Sequence, residues 1–233
     1  MTPLAHRASA WWAGITPGAI EAVKWTALLL MVNGHANAIL FDRQWAWPNE
    51  VGRAAFPAFA FAFGYALARV PAERRARVYP RVLARLLGVG LLSLPLTTTG
   101  FGHDAWLPIN IMFTFAAGFA ILWSLQCGGP YGIVVAALVF LLSGAMVEFM
   151  WPGVALVVAM YACFARPGMA SQLAVLACLL ALWPVNGNPY ALLVYPLVCA
   201  LALFRPSIPR LRWLFYVAYP LHLAILLALK HAL

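Results

Sequence analysis

Charge is scarce in this chain, and acidic charge scarcer still. Only 9% of its 233 residues are charged, and just six of those are Asp or Glu. A soluble domain carries about a quarter charged residues, so this one could not clothe its surface in water. The four cysteines (Cys127, Cys163, Cys178 and Cys199) show no CxxC spacing. That excludes a disulfide framework and a zinc ribbon. Nothing resembles GxxxxGK[ST], GxSxG or HExxH, and the GGPYG of 128–132 reads as a turn, so phosphate-loop, serine-elbow and zincin chemistries fall away. No fixed-period repeat is visible, which argues against a solenoid and against many repeat-built transporters.

What the chain has instead is apolar length: 65% of its residues are hydrophobic. Nine candidate spans follow, at 19–41, 54–70, 82–99, 108–125, 131–147, 150–165, 169–184, 189–204 and 212–230. Eight is the nearest alternative count. Gly and Pro punctuate them at Arg69-Val70-Pro71, Gly128-Gly129-Pro130, Arg166-Pro167-Gly168 and Trp183-Pro184, and Trp151-Pro152-Gly153 is expected to form a tight hairpin. The expected fold is all-α, a polytopic integral membrane protein with about nine helices in a single bundle. Residues 1–18 form an N-terminal segment and 19–233 one multi-span membrane domain. Ala8-Ser9-Ala10 imitates a signal-peptide cleavage site, but no apolar core precedes it, so no cleaved leader is expected.

The net charge of +9 suggests a polyanion partner in a soluble protein. Sorted by loop, it reports orientation, and no nucleic-acid partner is expected. Arg7, Lys24, Arg69, Arg74, Arg75, Arg77, Arg81, Arg85, Arg166, Arg205, Arg210 and Arg212 fall on one side, and Arg43, Arg53 and Lys230 on the other. The positive-inside rule makes the first side cytoplasmic. The N-terminus is then cytoplasmic and the C-terminus periplasmic. Among the acids, Asp42, Glu50, Asp104 and Glu148 fall outside, a bias that carries little topological weight.

Ionisable residues inside spans are costly and therefore informative. His35 lies in the first span, His222 in the last, Arg53 opens the second, Asn110 the fourth, and Glu148 sits in a tight outer hairpin. All five fall at similar depth in the outer half. An imidazole titrating near neutrality suits general acid–base work, and an Arg suits an anion or oxyanion. The bland readings are a helix–helix hydrogen bond for each His, snorkelling or capping for Arg53 and Asn110, and an interfacial carboxylate for Glu148. At 100° per residue, Asn33 lies about 160° from His35, so an undistorted helix cannot aim both into one pocket. Tyr219 and His222 share a face at i, i+3, with Pro220 between them loosening the helix. If the two imidazoles serve one reacting centre, they must lie within about 10 Å. The arginine run RVPAERRARVYPR at 69–81 reads first as a cytoplasmic loop contacting anionic lipids, and second as a dock for a phosphorylated donor.

Five stretches, EAVKWTALLLMVNGH at 21–35, EVGRAAFPAFAFAFGYALAR at 50–69, PINIMFTFAAG at 108–118, VEFMWPGVAL at 147–156 and FYVAYPLHLAIL at 215–226, occur in an order that resembles the TraX family. Its members are polytopic inner-membrane proteins of bacterial conjugation systems, described as pilin N-acetylases, with a plasmid-borne branch called TrbP. The resemblance implies transfer of an acetyl group from acetyl-CoA to the N-terminal amine of a pilin subunit, with the conjugative transfer machinery as partner. By position it implies catalytic roles for His35, Arg53, Asn110, Glu148 and His222. The dock for the acetyl-CoA donor would be Arg74, Arg75, Arg77 and Arg81, and no metal is implied. The family pattern reads Asp-His in the first span, whereas Gly34 precedes His35 here. Asn33, Glu148 or another group would then have to orient the imidazole. Two other readings fit the same residues: a membrane chaperone for the pilus, and a proton-coupled transporter using the histidines and Glu148 as a relay. The orientation is open to direct test. A reporter fused at Arg77 should read cytoplasmic, and a periplasmic signal there overturns it.

Overall fold

A computed structural model describes residues 15–102, 106–211 and 213–232. Arg7, Ala8-Ser9-Ala10, Asp104 and Arg212, used above for orientation and leader, lie outside the described residues. The chain forms α1 (Pro17–Leu40), α2 (Ala46–Gly52), α3 (Ala55–Ala68), α4 (Ala72–Phe101), α5 (Ile111–Cys127), α6 (Gly129–Gly144), α7 (Met150–Ala165) and α8 (Met169–Asn186). A 3₁₀ turn (Tyr190–Leu193) leads into α9 (Val194–Phe204), and α10 (Leu214–Ala232) closes the chain. Every expected span coincides with one helical segment. Four stretches, Ala46–Ala68, α4, α8 and α10, are long and apolar enough to cross a membrane, and α5, α6, α7 and the Tyr190–Phe204 segment are shorter apolar helices. The protein is an all-α polytopic membrane protein.

The first and last helices lie side by side and run the same way. Trp25 meets Phe215 with ring centroids 5.6 Å apart, His35 meets His222, and Asp42 stands 3.8 Å from Lys230. The contacts advance in the same order along both helices, so the two are parallel. Phe56, Phe61, Tyr79, Phe119, Leu156, Met160 and Leu223 are fully buried in the core.

Three local expectations are corrected. From Ala72 onward the arginine run of 69–81 is helix rather than loop, because α4 starts directly after Pro71. Pro71 caps it in an extended conformation and Glu73 sits in its first turn, where the helix dipole favours an acid. Thirty residues rise about 45 Å, well beyond a hydrocarbon core of about 30 Å. The turn between α6 and α7 falls at 145–149, and Trp151-Pro152-Gly153 belongs to the first turn of α7. Proline is tolerated there because its missing N–H has no intrahelical partner to lose. Phe149 and Met150 take left-handed φ values of 66° and 50°, a strain that no glycine announces. Helix α8 runs through Pro184 to Asn186 and stops at Gly187, which adopts φ 73°. Helix α2, unforeseen, packs on α1.

Where α3 crosses α7, Gly64 permits backbone contact. A Cβ there would lie 2.7 Å from the Met160 carbonyl carbon and 2.8 Å from its oxygen. Gly64→Ala should push the helices apart and cost about 1–3 kcal/mol, seen as a lowered Tm in detergent. Gly88→Ala, which meets nothing within 4 Å, should be neutral or mildly stabilising. Equal stability of Gly64→Ala and the parent chain contradicts this packing.

Candidate functional site

At one end of the bundle, a pocket of about 270 Å³ opens between the C-terminal halves of α1 and α4 and the N-terminal ends of α3, α5 and α7. His35, Arg53, Asn110 and Glu148 all line it. His222 stands directly behind His35 rather than on the pocket wall. The five residues grouped by depth in the sequence therefore meet in space.

The two imidazoles are in direct contact. His35 Nδ1 is 2.8 Å from His222 Nε2, and His222 Nδ1 is 2.8 Å from the Ala218 carbonyl oxygen. The rings are within 17° of parallel with centroids 5.0 Å apart, so they touch edge to edge as an N–H···N bond demands. A carbonyl only accepts, so His222 Nδ1 carries the proton. Neutral His222 then presents Nε2 as an acceptor, and His35 must donate to it from Nδ1. The bare lone pair of the system is left on His35 Nε2. Phe101 packs edge-on against His35 at 5.0 Å, fixing the ring from its other side.

Gly34 follows from the same geometry. It faces α2, where an added Cβ would lie 3.3 Å from the Pro48 carbonyl oxygen and 3.8 Å from Gly52 Cα. An aspartate here would crowd that crossing, and His222 holds His35 in its place. Asn33 does not line the pocket, as its angular position predicts. Asn37 on the same helix is committed to the following turn, donating to the Trp45 carbonyl at 2.6 Å and accepting from its N–H.

Asn110 arrives as a cap. Its Oδ1 accepts from the Met112 N–H at 3.2 Å, and its Nδ2 donates to the Gly90 carbonyl at 2.9 Å. It thereby ends the loop before α5 and ties that loop to α4. Glu148 is held through its backbone: its N–H donates to the Ile109 carbonyl, and its own carbonyl accepts from Thr114 Oγ1 at 2.6 Å. Burial raises the Glu148 pKa above the usual carboxylate value; the Arg53 charge and a hydrogen bond with the Ile111 backbone oppose the rise. Arg53 also acts electrostatically on His35. Its charge therefore bears on both ends of the pocket.

Two further residues belong to this wall. Tyr219 is buried, lines the pocket and places its ring 5.7 Å from His222. Its i, i+3 spacing from His222 was the available signal. Arg43 lines the mouth from a left-handed turn at φ 60°, and nothing in its sequence context distinguishes it. Of the arginines proposed for the donor, Arg75 lines a cavity at the opposite end of the bundle. Arg74, Arg77 and Arg81 are exposed. Among the described residues no cluster of His, Cys, Asp and Glu could hold a metal ion.

Bundle and site together define a polytopic membrane protein with a polar pocket built around a contact between its first and last helices. The chain belongs to the TraX family, whose "TraX protein" description matches residues 19–230. It is 30% identical to an Escherichia coli protein named TraX over 96% of this chain and 93% of that one. A second, from Escherichia coli strain K12, is 29% identical over 72% of this chain and 66% of its own length. No solved structure matches.

The Glu148 environment yields a signed prediction. Because the native carboxyl holds its proton more tightly than the unfolded one, stability falls as pH rises from the ordinary value of 4.5 through the raised native value. Glu148→Gln removes that slope. Its Tm relative to the parent should climb between about pH 4 and about pH 8. A relative Tm that drops over this range means that Arg53 attraction outweighs burial.

Proposed function

We propose that this chain is an acyltransferase of a conjugative transfer system, moving acetyl from acetyl-CoA to the N-terminal amine of a pilin subunit. The observation that carries the reading is the chain of bonds from the Ala218 carbonyl through His222 to His35. It gives His35 an unprotonated Nε2 in a pocket that also holds a guanidinium. Sequence resemblance and family membership supply the substrate classes.

In this reading His35 Nε2 takes a proton from the amine as its nitrogen attacks the thioester carbonyl carbon. Negative charge gathers on the carbonyl oxygen, opposite Arg53, which stabilises it in a low-dielectric site. The tetrahedral centre collapses, the carbon–sulfur bond breaks, and the thiolate takes the proton back from His35. An amine and a thioester thus become an amide and a thiol. His222 stays behind as the positioning residue, aligning the base and sharing the imidazolium charge. The pocket lies at the small end of ligand-site volumes, suited to the reacting ends of donor and acceptor rather than to a whole coenzyme.

The arginine-rich end of α4 would face the cytoplasm of an inner membrane by the positive-inside rule. The histidine pair then lies toward the periplasmic side, where a processed pilin amine would be presented. His222 also gives the imidazole an orienter, so Gly34 in place of the aspartate is compatible with this reading.

The test is the intact mass of pilin from cells carrying the parent chain or His35→Ala. The parent should give the acetyl shift, and His35→Ala should lower transfer by about 10²–10⁴ with normal membrane insertion. Unshifted pilin in the parent strain, with pilin lost on deletion, supports the chaperone and sinks the transferase. Undiminished transfer by His35→Ala rejects the base assignment.

A further inference from the structure

The far end of the bundle holds a second cavity, of about 500 Å³, between the C-terminal ends of α3, α5 and α7 and the N-terminal part of α4. Sixteen residues of helical rise separate Gln126 on its wall from Asn110 at the histidine pocket, about 24 Å. It is a different place with a different chemistry.

A directed chain of hydrogen bonds runs into it. The Tyr79 hydroxyl donates to Gln126 Oε1 at 2.8 Å, and Gln126 Nε2 donates to the Tyr161 hydroxyl oxygen at 3.1 Å. Tyr79 is buried, so reversing the Gln126 amide would strand its proton without an acceptor, which is costly. The direction is therefore set from Tyr79 toward Tyr161. Tyr161 lines the cavity with its acceptor side used and its own proton still to give.

Two guanidinium groups line the same space, Arg75 from α4 and Arg166 from the end of α7. Arg75 is anchored through Nε to the Val70 carbonyl at 3.5 Å, leaving both Nη groups for another acceptor. Neighbouring Arg69 is accounted for by the Tyr65 ring, 3.5 Å away. Among the described residues, neither Arg75 nor Arg166 has a carboxylate within 4.0 Å, since the ion pairs there are Lys24–Glu21 and Lys230–Asp42. Two guanidinium groups, one with its Nε already committed to Val70, and a hydroxyl donor border one volume. An acceptor with several oxygens satisfies them together. The remaining walls, including Leu122, Leu125 and Val158, are apolar.

We infer that this cavity is a binding site for a phosphate ester, gripped by Arg75 and Arg166 and by the Tyr161 hydroxyl. Basic pockets between membrane helices take phospholipid headgroups in this way, and a soluble organic phosphate offers the same oxygens. The site does not depend on the acyl-transfer reading.

The test uses the full chain in dodecyl maltoside, a detergent without phosphate. Phosphatidylglycerol is titrated by native mass spectrometry and adenosine 3′,5′-bisphosphate by thermal shift. Saturable one-to-one binding of the lipid alone assigns a headgroup, and of the bisphosphate alone a soluble ligand; either supports the site. The Arg75→Gln, Arg166→Gln double variant should weaken that binding by about tenfold or more, and Tyr161→Phe by several-fold. Arg205→Gln, exposed and off the cavity wall, should bind as the parent does. The inference is overturned if neither probe saturates, if the double variant binds normally, or if Arg205→Gln loses as much as the double variant.

Discussion

The contact between His35 and His222, two nitrogens 2.8 Å apart across 187 residues of chain, is the constraint on which the rest of this structure depends. It brings the first and last helices together in parallel, and it decides which imidazole nitrogen is bare. An isolated membrane histidine is ambiguous between a helix-packing bond and a catalyst. Here the packing bond itself, donated by His35 to His222, is what leaves the other nitrogen of His35 bare. A polar group in so apolar a bundle costs free energy unless every proton is placed. The Ala218 carbonyl at the end of the chain of bonds satisfies that demand.

The elements around the pair serve to hold it still. Asn110 caps α5 and bonds to α4. Thr114 and Ile109 pin the α6–α7 turn, and with it Glu148, by side-chain and backbone bonds. Phe149, in a left-handed conformation, stacks on Phe56 with centroids 4.4 Å apart. That contact helps to offset a backbone strain of order 1–3 kcal/mol. The turn is placed from three sides before any ligand enters, as a preorganised electrostatic site requires. The opposite end is built on other principles, with long basic side chains on a helix that outruns the hydrocarbon core.

Much of this was legible in the chain. Apolar runs located the helices, and rare ionisable residues at matching depth located the pocket, because membrane burial penalises every polar side chain that has no use. Punctuation was less faithful. Trp151-Pro152-Gly153 and Pro184 look like breaks, yet a first helical turn tolerates proline, and α8 continues past Pro184 until Gly187 stops it. The true turn at Phe149 and Met150 uses two bulky residues at positive φ, for which no composition signal exists. The Tyr79–Gln126–Tyr161 chain was invisible for another reason: its members come from three helices, and proximity between distant segments cannot be read from spacing within any one of them. The same limit hid the role of His222 as orienter, although the residue itself was conspicuous.

The placement of protons on the two imidazoles decides what the pair can do, and nitrogen-15 spectroscopy of histidine in the membrane-embedded chain tests it most directly. With each signal assigned by substitution, His35 and His222 should both appear as neutral rings protonated at Nδ1, coupled across an N–H···N bond, with His35 Nε2 unprotonated. A proton on His35 Nε2, or the absence of coupling between the two rings, contradicts the account.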